Sequence, residues 1–127
     1  MKKSVSDVKR MEIYIADLPP SCGSVQTGKR PVLIVQNDVG NMKSPTVVVV
    51  PLTTAEKKWQ IAHVEIPAST GLAKKSIALC EQIMTISKEC LNKKIGVIES
   101  QRLIRKIDFA LQITLYVGKG RIEKDIL

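Results

Sequence analysis

Aromatic residues are scarce: Phe, Trp and Tyr together make up 3% of the 127 residues. Scattered as Tyr14, Trp59, Phe109 and Tyr116, they cannot build the stacking platform on which an RNA-recognition module holds its bases. Histidine occurs once, as His63, which excludes a two-histidine acid–base pair and leaves the cysteines without the partners a zinc site needs. Cys22, Cys80 and Cys90 are odd in number and include no C-x-x-C pair, so reduced thiols in a reducing compartment are expected, with neither metal nor cofactor. Long apolar runs are missing as well. Lys, Glu, Asn or Pro interrupts each one before the roughly 20 residues that cross a bilayer. Lys9 and Arg10 arrive before any apolar stretch begins, which does not fit a signal peptide, and a cytoplasmic protein with no membrane contact is expected. Acidic residues are in deficit, with 12 Asp+Glu against 20 Lys+Arg and a net charge of +8. An anionic partner follows, and with so few rings a nucleic acid must be held by charge and hydrogen bonds.

What is present is enough for one hydrophobic core: 44% of residues are hydrophobic and 25% charged, which predicts a single globular domain over residues 1–127. Ile13 to Ala16 form a short apolar run closed by Pro19 and Pro20, a strand running into a loop. The small, polar, glycine-punctuated stretch from Ser21 to Lys29 reads as a mobile loop. Pro31 to Gln36 and Thr46 to Leu52 are β-branched runs, with Asn37 to Asn41 as the turn between them. Their continuous valines predict burial on both faces. Ala62, Val64 and Ile66 alternate with His63 and Glu65, which predicts a strand with one dry and one wet face and a half-exposed His63. Residues 67–75 read as a loop, and Ser76 to Ile86 as one or two further strands, giving about five in all. A short helical turn is predicted around Lys88 to Asn92. Leu103, Ile104, Ile107, Leu111 and Leu115 then fall at helical spacing after the N-cap candidate Ser100, with Gly118 as the stop. Phe109, Ile113 and Tyr116 give this helix a second apolar side, more than one sheet contact requires.

The run from Gly28 to Asn41, with Arg30-Pro31-Val32 leading into a strand that ends Gln36-Asn37-Asp38, closely resembles the hallmark segment of the MazF/PemK toxins. Tyr14 to Leu18 resembles that family's first strand, and Ser44 to Thr54 the strand ending in a catalytic threonine. His63 to Ile66, Ser76, Glu81-Gln82-Ile83 and Ala110 to Ile113 continue the resemblance in order, so it spans roughly Met11 to Leu115. Several motifs in one order are far more specific than any one alone. The resemblance implies a mainly β fold with a C-terminal helix, an SH3-like barrel that pairs as a homodimer. It also implies the toxin half of a toxin–antitoxin pair: an endoribonuclease that cuts single-stranded mRNA without metal and is neutralised by an acidic, MazE-like antitoxin.

By the same resemblance Arg30 and Thr53 are the catalytic pair. Taken singly, an Arg before a proline is an ordinary loop residue and a Thr at a strand end an ordinary turn former; the surrounding pattern reverses that reading. The residue types suit the chemistry. Metal-free cleavage uses the substrate's own 2′-hydroxyl and leaves 2′,3′-cyclic phosphate and 5′-hydroxyl ends. A planar, permanently charged guanidinium can stabilise the growing phosphorane charge, and a hydroxyl can bond the 2′-oxygen or the phosphate. Gln26, Thr27 and Gly28 read as a lid over RNA, Asn37 and Asp38 as groove residues, and Lys29, Lys57 and Lys58 as phosphate contacts. Val25, Lys29 and Met84 depart from the family pattern, in which a glutamate, a small apolar residue and an arginine are common, and bear on which RNA sequence is recognised. Two alternatives fit the composition. One is a gyrase poison of the CcdB kind, disfavoured because that family relies on a Trp-Gly-Ile-type C-terminus; the other is a basic module that binds RNA or an acidic peptide without cutting.

Overall fold

Valine and isoleucine dominate the middle of the sheet, where stiff β-branched side chains suit the pleated backbone. The computed structural model describes residues 7–55 and 58–121. Its strands are β1 (Glu12–Leu18), β2 (Gly28–Ile34), β3 (Thr46–Thr53), β4 (His63–Ile66), β5 (Ser76–Leu79), β6 (Met84–Ser87) and β7 (Leu91–Val97). A short helix α1 (Asp38–Lys43) joins β2 to β3, and the long helix α2 (Gln101–Leu115) follows β7. Every ladder is antiparallel, in the order β4-β5-β3-β2-β1-β7, with β6 also on β3. Among the described residues the sheet has seven strands rather than about five.

Alternation along β1 to β3 divides the interior in two, because successive side chains leave a strand on opposite faces. Ile13, Leu33, Val50 and Leu52 point to a core that β4, β5 and the inner face of α2 complete through Val64, Ile66, Ala78, Ile107 and Leu111. Tyr14, Val32, Ile34, Val47 and Val49 point to a second core with Ile86 and Leu91. The continuous valines are therefore buried on both faces, as their sequence requires.

The pairing path runs open from β4 to β7, and among the described residues no ladder joins those ends. A closed SH3-like barrel is not what the hydrogen bonds make. β4 and β5 have only four residues each, and α2 packs on β4 and on the helical turn after β5. Two local expectations also change. The turn expected at Asn37 to Asn41 winds into α1, with the Asn37 side chain accepting from Gly40 N at 2.8 Å as its N-cap. α2 starts where expected, with Ser100 Oγ accepting from Leu103 N at 3.2 Å, but it ends on Tyr116 in the left-handed region at φ 56° rather than on Gly118. The helical turn expected near Lys88 is present, over Lys88–Cys90.

The loop after β4 docks on β7 through two glycines. A Cβ at Gly71 would collide with the backbone of Ile95 and Gly96, and one at Gly96 with the backbone of Thr70 and Gly71. Arg10 ties the other side together: its N–H donates to Asp38 Oδ1 at 2.7 Å, Nε to the Val35 carbonyl at 2.8 Å, and Nη2 to Asp108 Oδ1 on α2 at 2.8 Å.

The Arg10 N–H, aided by the Asn41 side chain, holds the Asp38 carboxyl below its ordinary value of 3.8 against the opposing effect of burial. A depressed carboxylate contributes stability that is complete above the unfolded-state value and is lost as pH falls through the folded one. Asp38→Ala should therefore lower the urea midpoint at pH 7, and the gap to the unsubstituted protein should close as pH drops below about 3.8. A gap that stays constant from pH 7 to 2.5 would contradict this.

Candidate active site

β2 and β3 are in register with Val32 opposite Pro51 and Leu33 opposite Val50. Carrying that register two residues toward the rim brings Arg30 level with Thr53. Neither Pro31 nor Pro51 has an N–H to give the ladder, and the β2–β3 pairing ends at Pro51, while on its other edge β3 pairs with β5 from Leu52, with Thr53 opposite Ile77. Arg30 stays on β1, opposite Ala16. The two residues singled out from the sequence 23 positions apart thus lie at one rim, where the sheet changes partners.

Their free hydrogen-bonding groups suit an anionic oxygen. Arg30 is half-buried, and its Nε donates to the Thr27 carbonyl at 2.9 Å. Among the described residues its two terminal nitrogens have no partner, which leaves the forked end of the guanidinium available. Thr53 is 7% exposed, and its Oγ1 accepts from Ala55 N at 3.1 Å, so its own proton remains to be donated.

The loop before β2 frames this rim. Gly28 has φ +78°, which an L side chain rarely adopts, although nothing lies within 4 Å of where a Cβ would sit; backbone conformation, not space, calls for glycine there. Gln26 and Thr27 are half-buried, and Lys29 and Lys58 are exposed. Lys57 lies outside the described residues. Gln26, Thr27, Gly28 and Lys29 thus gather with Arg30. Asn37 and Asp38 stand beyond the opposite end of β2, where they cap α1 and hold Arg10. Gln82 received no role from the sequence. Its Oε1 accepts from Gln26 N at 2.9 Å and its Nε2 donates to the Ser24 carbonyl at 3.1 Å. The only signal was its place in the Glu81-Gln82-Ile83 motif.

His63 is not the half-exposed surface residue that strand alternation predicted; it is 4% exposed. Its Nδ1 accepts from Gln60 N at 3.3 Å, so Nε2 carries the proton and donates to Glu81 Oε2 at 3.0 Å. The exposed Trp59 ring covers it edge-on at 5.6 Å, and both border a groove of about 530 Å³ beside Phe109. Cys80, next to Glu81, is no nucleophile: burial first, and then the Glu81 charge, pushes its thiol up to about 12.

An antiparallel sheet with one docked helix and an Arg–Thr pair at its rim defines a small, basic, mainly β protein. The pattern of the PemK-like, MazF-like toxins of type II toxin–antitoxin systems matches residues 9–115, and the chain belongs to that family. It is 46% identical over 110 residues to the endoribonuclease EndoA of Bacillus subtilis, covering 85% of this chain and 94% of that protein. To the endoribonuclease MazF of Staphylococcus epidermidis it is 44% identical over 110 residues, covering 85% and 91%. Among solved structures, a mycobacterial endoribonuclease in complex with its cognate antitoxin superposes with a TM-score of 0.71 at 28% identity, covering 87% of this chain and 97% of that one.

Removing His63 would strand the Glu81 carboxylate, whose Oε1 is buried and already without a partner among the described residues. His63→Ala is expected to cost about 2 kcal/mol in urea unfolding. Combining it with Glu81→Ala should cost less than the sum of the two single changes. Strict additivity would show that the pair does not interact.

Proposed function

We propose that this protein is the toxin of a type II toxin–antitoxin pair, a metal-independent endoribonuclease that cuts single-stranded mRNA in the cytoplasm. The observation that carries the reading is Arg30 level with Thr53 at the rim, the guanidinium held by one nitrogen and free at the others. The substrate's 2′-oxygen attacks its own phosphorus and loses its proton; the bond to the 5′-oxygen breaks, and that oxygen gains a proton. The products are a 2′,3′-cyclic phosphate and a 5′-hydroxyl. Arg30 gives paired hydrogen bonds to the non-bridging oxygens as negative charge builds, and as a permanently charged guanidinium it serves charge stabilisation rather than proton removal. Thr53 donates its hydroxyl proton to the phosphate or the 2′-oxygen. Lys29, Lys57 and Lys58 steer the backbone, and Gln26, Thr27 and Gly28 close over it, with Asn37 and Asp38 bearing on the groove through the folding of α1. The whole chain, residues 1–127, acts as one domain.

The protein acts as a homodimer. Phe109, 42% exposed, and Tyr116, 61% exposed, lie two helical turns apart on the outer side of α2, and Tyr116 is held in a conformation that non-glycine residues rarely adopt. A two-fold pair is the commonest way to bury such a stripe. The inhibitor is an acidic, MazE-like antitoxin whose carboxylates compete with phosphates for the basic rim, in keeping with the antitoxin complex of the mycobacterial relative.

In EDTA, the purified protein should cut a long RNA to cyclic-phosphate ends, and Arg30→Ala and Thr53→Ala should each lower the rate at least about 100-fold with unchanged circular dichroism. Near-normal cutting by either variant would overturn the site. Sedimentation should give a dimer mass that Phe109→Asp with Tyr116→Asp reduces to a monomer. Inhibition by the acidic partner should be competitive with RNA and weaken as salt rises; inhibition indifferent to RNA concentration would refute shared occupancy.

A further inference from the structure

We infer that Gln82 is a positioning residue for cleavage, acting on Arg30 through the loop that precedes β2. This rests on the ribonuclease reading above. The Gln82 amide uses both ends on one short segment, accepting from Gln26 N at 2.9 Å and donating to the Ser24 carbonyl at 3.1 Å. It therefore stands in for a neighbouring strand and supplies the ladder bonds that the loop lacks. One residue further on, the Thr27 carbonyl accepts from Arg30 Nε at 2.9 Å. The amide thus fixes the loop, and the loop's carbonyl fixes the guanidinium.

The latch has a rigid base. Gln82 ends the helical turn Cys80–Gln82, which is held from three sides. Cys80 N donates to the Ala62 carbonyl at 3.2 Å. Thr114 Oγ1 of α2 donates to the Cys80 carbonyl at 3.2 Å. His63 Nε2 donates to Glu81 Oε2 at 3.0 Å. A fixed support under the segment that carries the Thr27 carbonyl is what orienting Arg30 requires, since a guanidinium displaced by about 1 Å loses much of its hold on the transition state.

The test pairs kinetics with amide hydrogen exchange on the full chain. Gln82→Ala should lower kcat roughly 10- to 100-fold with KM changed less than about threefold. Amides of residues 24–28 should exchange faster in the free protein, with unchanged protection in β3. Gln82→Glu keeps the acceptor for Gln26 N but sets a carboxylate against the Ser24 carbonyl, and should fall between. Arg30→Ala should leave exchange at residues 24–26 as it was. Unchanged exchange or unchanged kcat in Gln82→Ala overturns the latch, as does a loss confined to KM with a shift in the sequences cut, which would make Gln82 a direct reader of RNA. If the unsubstituted protein cuts no RNA, the ribonuclease reading fails, and the exchange comparison still decides whether the latch exists.

Discussion

β3 must satisfy two neighbours along one edge. From Thr46 to Val49 that edge pairs with β6, and from Leu52 it pairs with β5, while the other edge holds β2 from Val49 to Pro51. Its side chains alternate between two separate cores. A slip of one residue would turn each valine to the wrong core and move Thr53 away from Arg30, so burial and catalytic geometry enforce the same register. Pro51, at the point of transfer, is tolerated because the ladder with β2 is ending there. The rim is a by-product of how this strand is shared.

The carboxylates follow a related logic. Glu12 is buried and takes the Lys9 N–H at 2.8 Å, the Tyr14 hydroxyl at 3.1 Å and Lys94 Nζ at 2.7 Å. Asp38 and Asp108 share Arg10, and Glu81 holds His63. These acids are engaged in holding elements together, whereas Lys29, beside Arg30 in β2, and Lys58 stand exposed. The net charge of +8 is thereby expressed more strongly on the surface than the composition implies.

Much of this was legible. Runs of β-branched residues announced β1 to β3, helical spacing with Ser100 announced α2, and a family pattern picked out Arg30 and Thr53. What was hidden had partners far along the chain. β7 carries exposed Asn92, Lys93 and Lys94 in succession, so it has no alternation to read; only β1, nearly 80 residues earlier, makes it a strand. His63 looked wet because its neighbour Glu65 is, but Glu81, 18 residues away, gives it a buried partner. Asn37 and Gly40 are common turn residues, and the same side-chain bond that would close a turn instead starts a helix. Gln82 was silent for another reason: its partners are backbone groups, which any sequence presents.

The contact between Gly71 and Gly96 bears on how this fold can change over time. Elsewhere in the interior an enlarged side chain can be accommodated by a smaller neighbour, so sequences drift through compensating pairs. Here each glycine meets main-chain atoms of the opposite segment, and a main chain cannot be trimmed. No second substitution rescues the first. A lineage that acquires a side chain at either position must separate the loop from β7, and with it loosen the strand that pairs with β1. The two sites are locked independently of one another, and pairwise covariation will be blind to their contact.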